Sequence, residues 1–85
     1  MKSHAKRVMG IAFEKKLGYV YSIGEDGKFK ISDVNSHSVV SEMTPGKAGL
    51  KHMLYRPDRA IFIMGDGDGY IHIYNSIAVR PKIYN

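Results

Sequence analysis

Apolar and polar positions alternate in short stretches along the chain. Residues 28–31 read Lys-Phe-Lys-Ile and residues 70–73 read Tyr-Ile-His-Ile, a period of two that turns one face of a β-strand inward. Residues 19–23 (Tyr-Val-Tyr-Ser-Ile) and 60–64 (Ala-Ile-Phe-Ile-Met) are nearly continuous apolar or aromatic runs, the pattern of central strands covered on both faces. A further strand is predicted from about Ser38 to Met43, closed by Thr44-Pro45-Gly46. Glu25-Asp26-Gly27 and Gly67-Asp68-Gly69 supply the residues that tolerate positive φ in tight hairpins. Lys15-Lys16-Leu17-Gly18 and Arg56-Pro57-Asp58-Arg59 separate other strands, and Pro57 suits a turn better than a strand interior. No stretch combines helical periodicity with caps, so the fold class expected is all-β.

The pattern repeats. Val8-Met9-Gly10-Ile11-Ala12-Phe13 aligns with Leu50-Lys51-His52-Met53-Leu54-Tyr55, Tyr19-Val20-Tyr21 with Ile61-Phe62-Ile63, and Asp26-Gly27-Lys28-Phe29-Lys30-Ile31 with Asp68-Gly69-Tyr70-Ile71-His72-Ile73. Positions 8, 19 and 26 map to 50, 61 and 68, a constant offset of 42 without a gap. Residues 1–45 therefore form a first repeat, and residues 46–85 a second repeat with a C-terminal tail. A fixed spacing of this size marks stacked repeat architectures.

Composition narrows the chemistry. The chain has 85 residues, 44 % hydrophobic and 25 % charged, ordinary for a globular protein and against whole-chain disorder. Without cysteine it can form no disulfide, thiol nucleophile or cysteine-ligated zinc site. No apolar run approaches a membrane span, and the basic start lacks the apolar stretch of a secretory signal. Together these point to an intracellular, cytoplasmic setting. The formal charge is +5, with 13 Lys+Arg against 8 Asp+Glu. That balance permits contact with nucleic acid or anionic lipid without requiring it, since the basic residues fall in scattered pairs typical of solvated turns and strand faces.

His4-x3-Val8-x2-Ile11-x-Phe13 followed by Ser22-Ile23-Gly24-Glu25-Asp26-Gly27-Lys28-Phe29-Lys30-Ile31-Ser32-Asp33 resembles one WD repeat of the β-propeller family. That family's period of about 40–45 residues and four strands per unit agrees with the offset. Leu50 to Asn75 resembles a divergent second repeat. The resemblance implies two four-stranded antiparallel blades, part of a larger or oligomer-completed propeller. It also implies a tetrad of His, Ser/Thr, Asp and Trp within each blade. By position the first unit offers His4, Ser22 and Asp26, with Ser32 in place of the Trp, and the second offers Asp68 and Tyr74, with Gly46 and Met64 at the other two positions. With both tetrads incomplete, cohesion is expected from Phe13, Tyr21, Phe29, Ile31, Tyr55, Phe62, Ile71 and Ile73. A weaker similarity joins Phe62-Ile63-Met64-Gly65-Asp66-x-x-Gly69-x-Ile71 to WD-repeat proteins that also carry a zinc-binding FYVE module, which would imply an endosomal association.

Other candidate chemistry is thin. Gly65-Asp66-Gly67-Asp68-Gly69 has Tyr70 where a dinucleotide fingerprint needs glycine, and Met64 where a calcium loop needs its first carboxylate. A hairpin turn explains it. His4, His37, His52 and His72 are too dispersed for a local metal motif, and no Gly-x-Ser-x-Gly elbow occurs. No catalytic residue, metal site or cofactor is expected.

The function implied is a non-enzymatic protein–protein interaction scaffold. The residues expected to touch a protein partner are Lys15, Lys16, Arg56, Asp58, Arg59 and His37. Two blades leave sheet faces without neighbours, so the isolated chain is expected to self-associate whether it is a fragment or an oligomer-completed unit. The alternative is a small basic β-domain that binds single-stranded nucleic acid or a phosphoinositide-type anionic lipid through tyrosines and lysines.

Overall fold

The computed structural model of the chain describes residues 3–59 and 61–75. Seven strands follow one another: β1 (Val8–Glu14), β2 (Tyr19–Gly24), β3 (Phe29–Asp33), β4 (Ser38–Met43), β5 (Leu50–Arg56), β6 (Ile61–Asp66) and β7 (Ile71–Asn75). They build two antiparallel sheets, one of four strands in the order β1-β2-β3-β4 and one of three in the order β5-β6-β7. Among the described residues there is no helix, and none therefore that could cross a membrane. A fourth strand expected for the second unit falls beyond Asn75, outside the described residues, as does Ala60 at the start of its apolar run.

The offset of 42 holds in three dimensions. β1, β2 and β3 map onto β5, β6 and β7 residue for residue. The register shift between Val8 and Gly10 recurs between Leu50 and His52. The hairpin glycines Gly27 and Gly69 have φ of 81° and 89°. Turn hydrogen bonds recur too: Gly24 N–H donates to Lys28 O at 3.2 Å, and Asp66 N–H to Tyr70 O at 3.0 Å. Likewise Glu25 N–H donates to Arg7 O at 2.9 Å and Gly67 N–H to Gly49 O at 3.0 Å. One local sequence pattern, read twice, thus folds the same way twice.

Strand pairing fixes which residues share a face, since directly opposed residues point to the same side. In the first sheet Ala12, Tyr21 and Ile31 stand in one row, and Gly10, Ile23 and Phe29 in the next. This front face packs against Met53, Tyr55, Phe62 and Met64 of the second sheet. The Phe62 ring lies 4.5 Å from that of Tyr21, 5.0 Å from Phe29 and 4.6 Å from Tyr55, centroid to centroid. Tyr21, Ile23, Phe29, Ile31, Phe62 and Met64 are buried, each burial favouring the fold by about 1.5–3 kcal/mol. At the rim, the Tyr55 hydroxyl donates to Glu14 Oε1 at 3.0 Å, joining the two sheets.

The two touching faces are not equivalent. Advanced by 42, Ala12, Tyr21, Phe29 and Ile31 of the first sheet become Leu54, Ile63, Ile71 and Ile73, on the second sheet's far side. Set back by 42, Met53, Tyr55 and Phe62 become Ile11, Phe13 and Val20, on the first sheet's far side. The front of one repeat thus packs on the back of the next. This explains a departure from the expected core: Phe13, Ile71 and Ile73 are 57 %, 71 % and 66 % exposed. They have the right residue type at the right repeat position, but they lie on the two outermost faces of a two-sheet stack.

Candidate functional site

The first polar cluster forms where the chain enters β1 and crosses the β2–β3 hairpin. Nδ1 of His4 lies 3.1 Å from both carboxylate oxygens of Asp26, and Nε2 lies 2.8 Å from Oγ of Ser22. Asp26 Oδ2 also accepts from the Ala5 amide at 3.1 Å, and Oδ1 from the Lys28 amide at 3.1 Å. The carboxylate therefore closes the hairpin and holds the incoming chain at once. Burial pushes the Asp26 carboxyl up, but the Lys28 amide, the His4 imidazole and the Ala5 amide together outweigh it and hold the pKa below its ordinary 3.8. His4 and Ser22 are buried, as is Ser32. The Lys30 ammonium, from the same face of the sheet, donates to the carbonyl of Ser3 and ties down the same segment.

The second unit solves the same problem with different residues. Asp68, the carboxylate expected there from the offset, is exposed, and its amide donates to Asp66 Oδ1 at 2.9 Å. Asp66 gathers the turn instead, accepting from the Tyr70 amide at 3.0 Å and pairing through Oδ2 with His72 Nε2 at 2.8 Å. The His72 hydrogen bond holds the Asp66 carboxyl below 3.8, with burial opposing it and the Tyr70 and Asp68 amides assisting. Gly46 occupies the position of His4, and a Cβ there would come within 3.2 Å of His72 Nε2. The imidazole from β7 thus fills space that the repeat leaves empty. Tyr74 is half-buried against the core, opposite Phe62, and takes no part in this pair. Neither Asp66 nor His72 is singled out by the offset, because each partner sits at a position where the first unit has a different residue.

All six residues expected to meet a partner lie at the opposite end of the sheets. The β1–β2 turn carries Lys15 and Lys16, the β3–β4 turn carries His37, and Arg56, Asp58 and Arg59 lie at the β5–β6 turn. These turns adjoin: Val34 N–H donates to Gly18 O at 2.9 Å, and the Glu14–Tyr55 bond links the strand ends beside the β1–β2 and β5–β6 turns. All six side chains are exposed. Arg56 reaches Asp58 at 3.4 Å. His37 adopts a left-handed φ of 56°, following Asp33, whose Oδ1 accepts from the Asn35 amide at 2.8 Å.

The Asp26–His4–Ser22 chain has the connectivity of a hydrolytic relay, carboxylate to imidazole to hydroxyl. Its setting differs. Ser22 sits on a strand paired on both sides, to Ile11 and to Lys30, so the surrounding amides serve the sheet ladder rather than an oxyanion. A shallow cavity of about 220 Å³ over Ser22, His4, Val8, Ile11, Val20 and Ser32 opens on the back of the first sheet. Among the described residues no three His, Asp or Glu side chains converge as metal ligands. The chain matches no protein-family model and no curated protein.

Proposed function

We propose that the chain is a stretch of a WD-repeat-like β-propeller, a non-enzymatic scaffold that holds a protein partner through the loops at one end. The observation that carries this reading is the front-to-back packing of two sheets related by a constant offset of 42 residues. A stack built this way uses its strands for shape and leaves its turns for recognition. Lys15, Lys16, His37, Arg56, Asp58 and Arg59 give those turns both signs of charge on a rigid base. Such charges steer encounter and reject wrong partners, and arginines are frequent energetic anchors. The Asp26–His4–Ser22 chain serves this scaffold by pinning the segment that enters the first sheet. A cysteine-free chain suits a reducing compartment, where we place it.

The test compares partner retention by the wild-type chain and by a Lys15→Glu/Lys16→Glu/Arg59→Glu variant with unchanged circular dichroism. We expect the wild type to retain a defined protein in stoichiometric amount and the variant to lose it at least about tenfold, the size of one or two rim charge reversals. Equal retention by both overturns the loop assignment. Binding of single-stranded DNA or phosphoinositide vesicles that collapses between low and moderate salt would favour the basic-domain alternative instead.

A further inference from the structure

Each outermost face of the two-sheet stack carries exposed apolar side chains, on the first sheet's back beside the polar Ser22, Lys30 and Ser32, and the repeat relation says what each is shaped to receive. The second sheet's open front carries Leu54 at 52 %, Ile71 at 71 % and Ile73 at 66 % exposure. The first sheet's open back carries Val8 at 49 %, Ile11 at 72 % and Phe13 at 57 %. Scattered apolar side chains on a surface need no explanation, but a row of them along one strand on each outer face does. These are not two arbitrary patches. The first is repeat-equivalent to the front already packed inside the chain, and the second to the back already packed against it.

We propose that a second copy of this chain docks head-to-tail, its first-sheet back seated on the second-sheet front of its neighbour. The contact follows the internal one, with Ser22 and Ser32 in the places of the core residues Met64 and Tyr74. Ile71 and Ile73 take the places of Phe29 and Ile31, while Ile11 and Phe13 take those of Met53 and Tyr55. A polar link across the internal interface changes in a matched way. Where Glu14 accepts from the Tyr55 hydroxyl, the new contact brings Arg56 against Phe13, replacing a hydrogen bond by a guanidinium over an aromatic ring without burying an unpaired hydroxyl. Gly65, equivalent to Ile23, has nothing within 4 Å of the point where a Cβ would sit, so this open front keeps a recess that a neighbour's side chain can enter.

A front-to-back contact is heterologous, so it propagates until rotation closes a ring. Each copy contributes two sheets, and propellers hold about 4–8 of them, so closure comes at two, three or four copies. The proposal rests on the stacked-repeat half of the functional reading and not on the loop partner. Its failure would leave the retention experiment above to be decided separately.

Mixing two blocked variants tests it. Ile11→Asp blocks the back and Ile71→Asp blocks the front, and both sites are exposed enough for each chain to fold, which circular dichroism checks. Light scattering after size exclusion should find the wild type in two to four copies and each variant alone as a monomer. The equimolar mixture should form a 1:1 heterodimer and nothing larger, because only one competent front and one competent back remain. Self-association of either variant alone would show a symmetric, like-on-like contact and overturn the proposal. So would a wild-type monomer at every concentration, or a mixture that does not pair.

Discussion

At Gly24 the first polar cluster leaves no room for a side chain. A Cβ there would lie 2.6 Å from both Asp26 Oδ1 and His4 Nδ1, so Gly24→Ala must push the pair apart or shift the strand. We expect Gly24→Ala and His4→Ala each to lower stability by about 1–3 kcal/mol, the cost of stranding a buried hydrogen-bonding partner, read as a fall in the urea midpoint at fixed protein concentration. The two carboxylates add a pH dependence. Asp26 and Asp66 are both held below 3.8 in the folded chain, so the unfolded chain binds protons more readily as the pH falls. Their stabilisation is therefore whole above 3.8 and is lost as pH drops through the lower folded values. Asp26→Asn removes one share of it, and its urea midpoint should fall less steeply in that acid range than the wild type's. A slope equal to the wild type's would remove Asp26 from the account. The first cluster, in which His4 bridges Asp26 and Ser22, was pointed to only through the resemblance to a WD repeat and its tetrad, with no signal in the residue spacing by itself. The second was not: Asp66 and His72 meet only through the β6–β7 register, and the offset directs attention to Asp68 and Gly46 instead.

The strands were legible at the level of single elements because turn residues and alternation agree. β2, β5 and β6, for example, are each flanked on both sides by Gly, Pro or Asp. What alternation cannot tell is which of a strand's two faces acquires a neighbour. Phe13 and Tyr55 occupy the same repeat position, as do Ile31 and Ile73, yet one of each pair packs within the chain and the other stands open. Paired substitutions should expose this asymmetry. Phe62→Ala empties the centre of the aromatic cluster and should cost the single chain about 3–5 kcal/mol. Phe13→Ala removes an exposed ring and should change the stability of the single chain by less than about 0.5 kcal/mol, as followed by thermal or urea unfolding of dilute protein. Comparable losses for both would mean that the back of the first sheet is already covered within one chain.

On the scale of the whole molecule, the spacing of 42 matters more than the length of 85. It converts a small all-β chain into two copies of one unit, joined front to back, with polar clusters at one end and charged turns at the other. Among the described residues such a unit covers one face of each sheet and leaves apolar side chains exposed on the other, the situation that repeat architectures relieve by stacking a further unit. Polar contacts at the sheet ends cannot substitute for that missing cover, since they satisfy hairpins rather than bury apolar surface. Sedimentation velocity of the wild-type chain over a wide concentration range measures the consequence most directly. We expect a discrete species of two to four copies of the 9.6 kDa chain that does not grow further once formed. A compact, cooperatively folding monomer of 9.6 kDa at every concentration would contradict it.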